Sequence, residues 1–106
     1  MNSRAKGCRG ERDWRDFLRA SGWTEARRGQ QFSGSPESPD VICPGLDETW
    51  HPEVKRTESL SVYKAMEQAI KDSGGKKPYV AHRRNNQEWL VILRAQDFLD
   101  LLKPHA

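Results

Sequence analysis

Two stretches decide the fold: Asp40-Val41-Ile42-Cys43 and Trp50-His51-Pro52-Glu53-Val54-Lys55-Arg56. Both are short runs of β-forming residues, and the Pro-Gly turn signal between them predicts a β-hairpin. If the turn lies midway, an antiparallel register places Asp40 opposite Glu53, about 5 Å away. Lys55 lies two residues after Glu53, so the side chains of Glu53 and Lys55 point to the same face of the strand.

The hairpin therefore predicts a site with two carboxylates and one ammonium group. Asp40 and Glu53, together with nearby backbone oxygens, are hard oxygen ligands of the kind that Mg²⁺ prefers. Lys55 beside them can position a water molecule or stabilise charge on a phosphate. Two simpler interpretations stay open: a salt bridge between Glu53 and Lys55, and an ordinary turn at Pro39-Asp40.

The rest of the chain predicts a single small α/β domain over residues 1–106, with a mixed central β-sheet flanked by helices. Pro52 removes a ladder donor, which predicts that its strand lies at an edge of the sheet or contains a bulge. The predicted elements are a mobile basic tail over 1–9, a helix over 10–21, strands over 23–28, 40–43 and 50–56, a loop over 29–39, a helix over 60–73, strands over 79–82 and 88–93, and a helix over 95–103.

The composition indicates a small protein with a lean core and argues against membrane-spanning and secreted proteins. Hydrophobic residues are 35% of the 106-residue chain, so the core is lean and dimerisation is a route to added stability. No apolar run reaches the roughly 20 residues that a membrane span needs, and the first residues do not form a secretory signal. The two cysteines do not make a disulfide framework, so a cytoplasmic setting is expected.

Charge is distributed unevenly along the chain. Residues 1–30 contain 8 basic and 4 acidic side chains, residues 31–60 contain 2 and 6, and residues 61–106 contain 8 and 5. An acidic centre between basic flanks suits a polyanion-binding surface around an acidic pocket. Ordinary variation of a solvated surface is the alternative.

Further candidates lie outside the hairpin. Glu11 falls on the apolar face of the first helix, where it either caps the helix N-terminus or points into a site. The Arg27-Arg28 and Arg83-Arg84 pairs suit phosphate contact, or else form a solvated rim.

The remaining signals are weaker. His51 lies near the predicted site, where it either takes no part in the chemistry or carries a proton. Trp89 to Leu93 form either a buried central strand or a dimer contact. No zinc-ligand spacing and no nucleotide-binding loop is present in the sequence, so we expect neither zinc nor a nucleotide cofactor.

Taken together, these motifs resemble a known family. Pro39-Asp40 followed by Glu53-Val54-Lys55 is similar to the signature of the PD-(D/E)XK nuclease superfamily. A wider set of positions over about residues 8–102 resembles the archaeal and bacteriophage Holliday junction resolvases, namely Glu11, Arg27-Arg28, Ser33-Gly34, Ser38 to Val41, Pro78 to Arg83 and Trp89 to Val91.

The resemblance implies a restriction-endonuclease-like αβββαβ core and a Mg²⁺-dependent, structure-selective DNA endonuclease. Such an enzyme would act as a homodimer on four-way junctions in a bacterial, archaeal or phage-infected cell, with Mn²⁺ able to replace Mg²⁺. Glu11, Asp40, Glu53 and the carbonyl of Val54 would hold the metal. Lys55 would activate the attacking water, while Arg27, Arg28, Arg83 and Arg84 would contact DNA. Ser33 would lie near the scissile phosphate. A nuclease for flaps, ends or nicked duplex and a non-catalytic nucleic-acid-binding module are the alternatives.

Overall fold

The computed structural model describes residues 3–29 and 41–104, with side chains of the first helix described from residue 9 onward. The helices and strands follow the predicted order, and the expected α/β class is confirmed. In chain order the elements are α1 (Ser3–Ala20), β1 (Arg27–Arg28), β2 (Val41–Ile42), β3 (Trp50–Arg56), α2 (Val62–Asp72), β4 (Lys77–Arg83), β5 (Leu90–Leu93) and α3 (Ala95–Leu102).

The strands form two small sheets. In the larger sheet, β3 pairs with β4 in parallel and β4 pairs with β5 antiparallel, so the sheet is mixed as expected. Helix α2 connects the two parallel strands, which is the usual crossover for such a pair. The smaller sheet consists of β1 and β2, which are antiparallel.

The two faces of the larger sheet are covered by different helices. Val54 pairs with Ala81 on the face that α1 covers, where Gly10 approaches Val54 closely. Glu53 pairs with Val80 on the opposite face. That face packs against α2, whose buried residues are Ala65, Met66 and Ala69. The main core on the α1 side contains Trp14, Leu18, Ala26, Val41, Cys43, Tyr79 and Ala81.

The prediction of a hairpin between β2 and β3 is wrong, because the described residues of these two strands do not pair with each other. Strand β2 pairs with β1 instead, with Arg28 opposite Val41, and β3 pairs with β4. The connection between β2 and β3 explains the difference. Its backbone closes successive turns, with Leu46 N–H donating to Cys43 O and Trp50 N–H donating to Leu46 O, rather than one tight hairpin turn.

The start of α1 also differs from the prediction. The helix begins at Ser3, so residues 3–9 are helical rather than a mobile tail. Arg4, Ala5, Lys6 and Arg9 of this segment favour helix, but the segment lacks the apolar spacing that indicates a helix in a sequence. The position of Pro52 agrees with its prediction, because β3 lies at one edge of the larger sheet and its pairing runs without a bulge.

Burial of the helices is less complete than their periodicity predicts. Phe98, Leu101 and Leu102 recur at helical spacing on α3, yet they are 49%, 60% and 63% exposed. Tyr63 and Ile70 of α2 are likewise exposed. Periodicity identifies an apolar face but does not specify what covers it. Among the described helices, none has both the length and the apolar character required to span a membrane.

Candidate functional site

Glu53 and Lys55 lie together on the α2 side of β3. They are two positions apart on one strand, so both side chains extend from the same face. Lys55 Nζ lies 3.4 Å from Glu53 Oε1, and the Glu53 side chain is only 12% exposed whereas that of Lys55 is 36% exposed. The structure therefore places the predicted pair as expected, with the carboxylate partly buried and the ammonium group open to solvent.

The surroundings of Glu53 disfavour its negative charge. Burial raises the pKa of the Glu53 carboxyl group, and the nearby Asp72 raises it further, while Lys55 opposes both effects. Asp72 is the last residue of α2, and its carboxylate accepts a 2.7 Å hydrogen bond from the Gln68 side chain. A carboxylate in such a place gains from an additional cation, since a second positive charge would offset its desolvation.

Glu11 occupies a separate position on the α1 side. The helix begins at Ser3, so Glu11 is two turns inside it and the capping interpretation is wrong. Its side chain is 9% exposed, and Arg28 Nε donates to its Oε2 at 3.1 Å. Arg28 lies opposite Val41, the residue that follows Asp40 in the sequence. Glu11 and Arg28 are thereby held beside the start of β2.

The described residues do not by themselves complete a metal site. The Glu53 side chain lies on the α2 face of the larger sheet, whereas Glu11 belongs to α1, which covers the other face. Within residues 9–29 and 41–104, no three side chains of His, Cys, Asp or Glu are grouped to hold a metal ion. Asp40 and Ser33, two of the predicted site residues, lie outside the described residues. Val54, whose carbonyl was the remaining predicted ligand, stands between Glu53 and Lys55 on β3.

The donor chemistry nevertheless fits a hard divalent cation in part. Glu11 is a buried carboxylate and Glu53 a partly buried one, and carboxylates are oxygen ligands that Mg²⁺ accepts. Burial in addition raises the pKa of Glu53, and the nearby Lys55 only partly opposes this effect. Glu53 is therefore the predicted ligand side chain that the structure places on the α2 side of β3, where a bound cation would offset its burial.

The predicted DNA-binding arginines have different surroundings. Arg27 and Arg84 are exposed, whereas Arg28 is engaged with Glu11. Arg83 Nη1 donates to both carboxylate oxygens of Asp13, at 3.1 and 2.9 Å. Arg56, its neighbour on β3, contacts the same carboxylate at 3.3 Å. Asp13 thus joins α1 to the ends of two parallel strands, a role that its place in the sequence did not reveal.

His51 lines a cavity of about 400 Å³ beside the site. It lies on the same face of β3 as Glu53 and is 7% exposed. Burial lowers the pKa of His51, and the nearby Asp72 partly opposes that shift. Asp72 therefore acts on both His51 and Glu53, and no sequence motif indicated it. The other residues that line this cavity are Asp47, Trp50, Pro52, Lys71, Asp72, Ser73, Gly74 and Lys76.

Comparisons of the chain with protein-family models, with curated proteins and with solved structures found no match.

Proposed function

We propose that this chain is a metal-dependent DNA endonuclease that hydrolyses phosphodiester bonds at four-way junctions. The observation that supports this function is the pair formed by Glu53 and Lys55, 3.4 Å apart on one strand face. The carboxylate is partly desolvated, and the ammonium group is open to solvent. A salt bridge that served stability alone would gain little from such an arrangement, because burying one charge of a pair is costly.

The proposed chemistry assigns a role to each residue. Glu53, Asp40 and the Val54 carbonyl would hold Mg²⁺, or Mn²⁺ in its place. Glu11, which pairs with Arg28 on the α1 side, is left out of this ligand set. The ion, when bound, would polarise a phosphate oxygen and neutralise charge developing on it. Lys55 would orient the attacking water and donate a hydrogen bond to the reacting phosphate.

Basic side chains supply the proposed DNA contacts. Arg27 and Arg84 are exposed and available to phosphates, whose charge a guanidinium group matches with forked donors. Arg83 is the last residue of β4, directly before Arg84, and its guanidinium group is paired with Asp13. Ser33 would lie close to the scissile phosphate. The proposed enzyme is a homodimer that works in the cytoplasm of a bacterial, archaeal or phage-infected cell, and flaps, ends or nicked duplex are the alternative substrates.

One observation favours a non-catalytic nucleic-acid-binding module instead. Glu53 and Glu11 each have a basic partner, Lys55 and Arg28, and the described side chains contain no group of three metal ligands. Under this second function the carboxylates are structural and the basic flanks bind the nucleic acid. Metal-dependent cleavage separates the two functions.

The test uses purified protein and labelled four-way DNA, with linear duplex, flap and single-stranded DNA as controls. Each DNA is incubated with Mg²⁺ and, separately, with EDTA. Symmetric nicking of the junction with Mg²⁺ alone is the expected result. Cleavage of flaps or linear DNA would mean that the chain is a nuclease with a different substrate. Binding without cleavage in the presence of Mg²⁺ or Mn²⁺ would favour the binding module.

The Asp40→Asn variant sharpens this test. The substitution removes a proposed metal ligand and one negative charge that repels phosphate, so cleavage should be lost while junction binding is kept or improved. Glu25→Gln, which removes an exposed carboxylate outside the proposed site, is the matched control and should cleave as the wild type does. Loss of binding together with cleavage in Asp40→Asn would indicate a folding defect instead.

A further inference from the structure

The cavity at the end of α2 contains a buried histidine that has no hydrogen-bond partner in the described part of the chain. His51 is 7% exposed, and no hydrogen bond to residues 9–29 or 41–104 engages either of its ring nitrogens. The ring nitrogens are nevertheless accessible, and His51 lines the cavity. Because a buried polar group without a partner is costly, most such groups are hydrogen-bonded. The unpartnered imidazole therefore indicates that the cavity takes a ligand.

The charged side chains that line this cavity are unequally paired. Both carboxylates already accept hydrogen bonds at 2.7 Å, Asp47 from a backbone N–H group and Asp72 from a side-chain amide. The second carboxylate oxygen of Asp47 is buried away from solvent. By contrast, Lys71 and Lys76 are exposed, and neither forms an ion pair with a residue that the structure describes. The charge that remains available at the cavity is therefore positive, which suits an anion.

The backbone that follows α2 adds further donors. Ser73 has the right-handed helical conformation at φ −73°, and Gly74 follows it in the left-handed region at φ 58°. Successive residues in these two conformations bring consecutive N–H groups together into an anion-binding concavity. Both residues line the cavity. The negative end of the α2 dipole lies here and opposes an anion, so binding must depend on the lysine side chains.

We infer that this cavity binds a nucleotide phosphomonoester, whose phosphate contacts His51, Lys71 and Lys76. The cavity of about 400 Å³ falls within the range of about 300–1,000 Å³ that is usual for small-molecule sites, so it has room for more than the phosphate. Trp50 and Pro52 also line it and offer apolar surface to a sugar or a base. The same phosphate chemistry occurs in a free mononucleotide and at a phosphorylated DNA end. The inference does not rest on the proposed nuclease activity.

The test is the binding of thymidine 5′-monophosphate to the full chain in EDTA, measured by isothermal titration calorimetry. We expect saturable binding of the monophosphate and no binding of thymidine, which lacks the phosphate. The double variant Lys71→Gln, Lys76→Gln should bind about tenfold more weakly or worse, because two charge-assisted contacts are lost. Lys64→Gln, at an exposed position of α2, is the matched control and should bind as the wild type does. Absence of saturable binding, or unchanged binding by the double variant, would overturn the inference.

Three further ligands identify the source of the phosphate: a 5′-phosphorylated duplex, the same duplex with a 5′-hydroxyl group, and inorganic phosphate. A phosphorylated duplex that binds more tightly than both the hydroxyl duplex and the monophosphate would assign the site to a DNA end. Tighter binding of the monophosphate would assign it to a free nucleotide. Equal affinity for inorganic phosphate and the monophosphate would overturn the assignment to a nucleotide.

The His51 ring reports on the cavity directly. Its nitrogen signals in nuclear magnetic resonance spectra should shift when the monophosphate is added, and His51→Gln should weaken binding with its circular dichroism unchanged. If His51→Gln does not fold, the double lysine variant keeps the inference testable, because both lysines are exposed. Ring signals that stay fixed while the ligand binds would place binding elsewhere. Because no readout depends on DNA cleavage, a chain that binds the monophosphate but cleaves no DNA would count against the proposed function only.

Discussion

Lys55 Nζ lies 3.4 Å from Glu53 Oε1, and it is the cation that partly offsets the burial of that carboxylate. The two side chains differ in exposure, at 12% for Glu53 and 36% for Lys55. The buried Glu53 has the raised pKa that favours binding of a further cation, whereas Lys55 can reach a ligand in solvent. Four predictions follow the physical causes of this site and of the contacts around it.

Replacement of Lys55 tests the proposed role of its ammonium group. Lys55→Ala should lower the rate of junction cleavage by about 100-fold or more, because a positioned charge that stabilises developing phosphate charge is removed. Single-turnover cleavage at saturating enzyme measures the effect. Lys64→Ala, at an exposed position of α2, is the matched control and should leave the rate unchanged. Near-normal cleavage by Lys55→Ala would remove Lys55 from the mechanism.

The pH dependence of stability reports on Glu53. Burial raises its folded-state pKa above the unfolded value of 4.5, so between these two values the folded protein binds more protons than the unfolded chain. Glu53 therefore makes the free energy of unfolding fall as pH rises through that window. Glu53→Gln should be more stable than the wild type at about pH 8, and the difference should shrink at about pH 4. Urea denaturation at both pH values measures this, and an equal difference at both would contradict it.

Gly10 tests how closely α1 approaches the sheet. A Cβ at this position would lie 2.8 Å from the Cβ of Arg56, which is too close without a backbone shift. Gly10→Ala should therefore destabilise the protein by about 1–3 kcal/mol, even though alanine favours helix by up to about 1 kcal/mol over glycine. Chemical denaturation gives the value. A stabilised variant would show that propensity outweighs the contact and that α1 can move away from β3.

Replacement of Asp13 tests whether the arginines that it pairs with bind DNA. Its carboxylate is shared by Arg56 and Arg83, so Asp13→Asn should cost about 1–2 kcal/mol of the free energy of unfolding, since partly buried guanidinium groups lose their counter-charge. The same variant should bind four-way DNA more tightly, because two cations become available to phosphate. Asp16→Asn is the control: Asp16 is exposed and pairs with the adjacent Arg15, so little change in either measurement is expected. Weaker DNA binding by Asp13→Asn would mean that these arginines do not face the DNA.

Local sequence patterns predicted the elements better than their partners. The spacing of Glu53 and Lys55 fixes a common face on any strand, and Pro52 correctly indicated an edge strand. The pairing of β2 could not be read in the same way. Strands of two residues have little side-chain pattern, and the turns over Cys43 to Trp50, which separate β2 from β3, are set by backbone hydrogen bonds that composition does not specify.

In the candidate site too, single residues could be predicted from the sequence but their partners could not. Glu11 was singled out because it interrupts an apolar face, and it is indeed buried, but its partner Arg28 depends on the fold of β1 against α1. Asp72 and Asp13 were missed because both are charged residues on helices that look like ordinary solvated positions. Their influence on Glu53 and on Arg83 arises only when helices and sheet are packed together.

The close contact between the indole rings of Trp14 and Trp89 has an optical consequence. The indole centroids are 4.9 Å apart with planes tilted by 58°, and the two residues come from α1 and from the segment just before β5. Two identical chromophores so close and so skewed couple their electronic transitions, which produces a pair of circular dichroism bands of opposite sign in the far ultraviolet. The amplitude of this pair of bands reports, without an external label, whether α1 is packed on the sheet. Trp89→Phe should abolish the pair of bands.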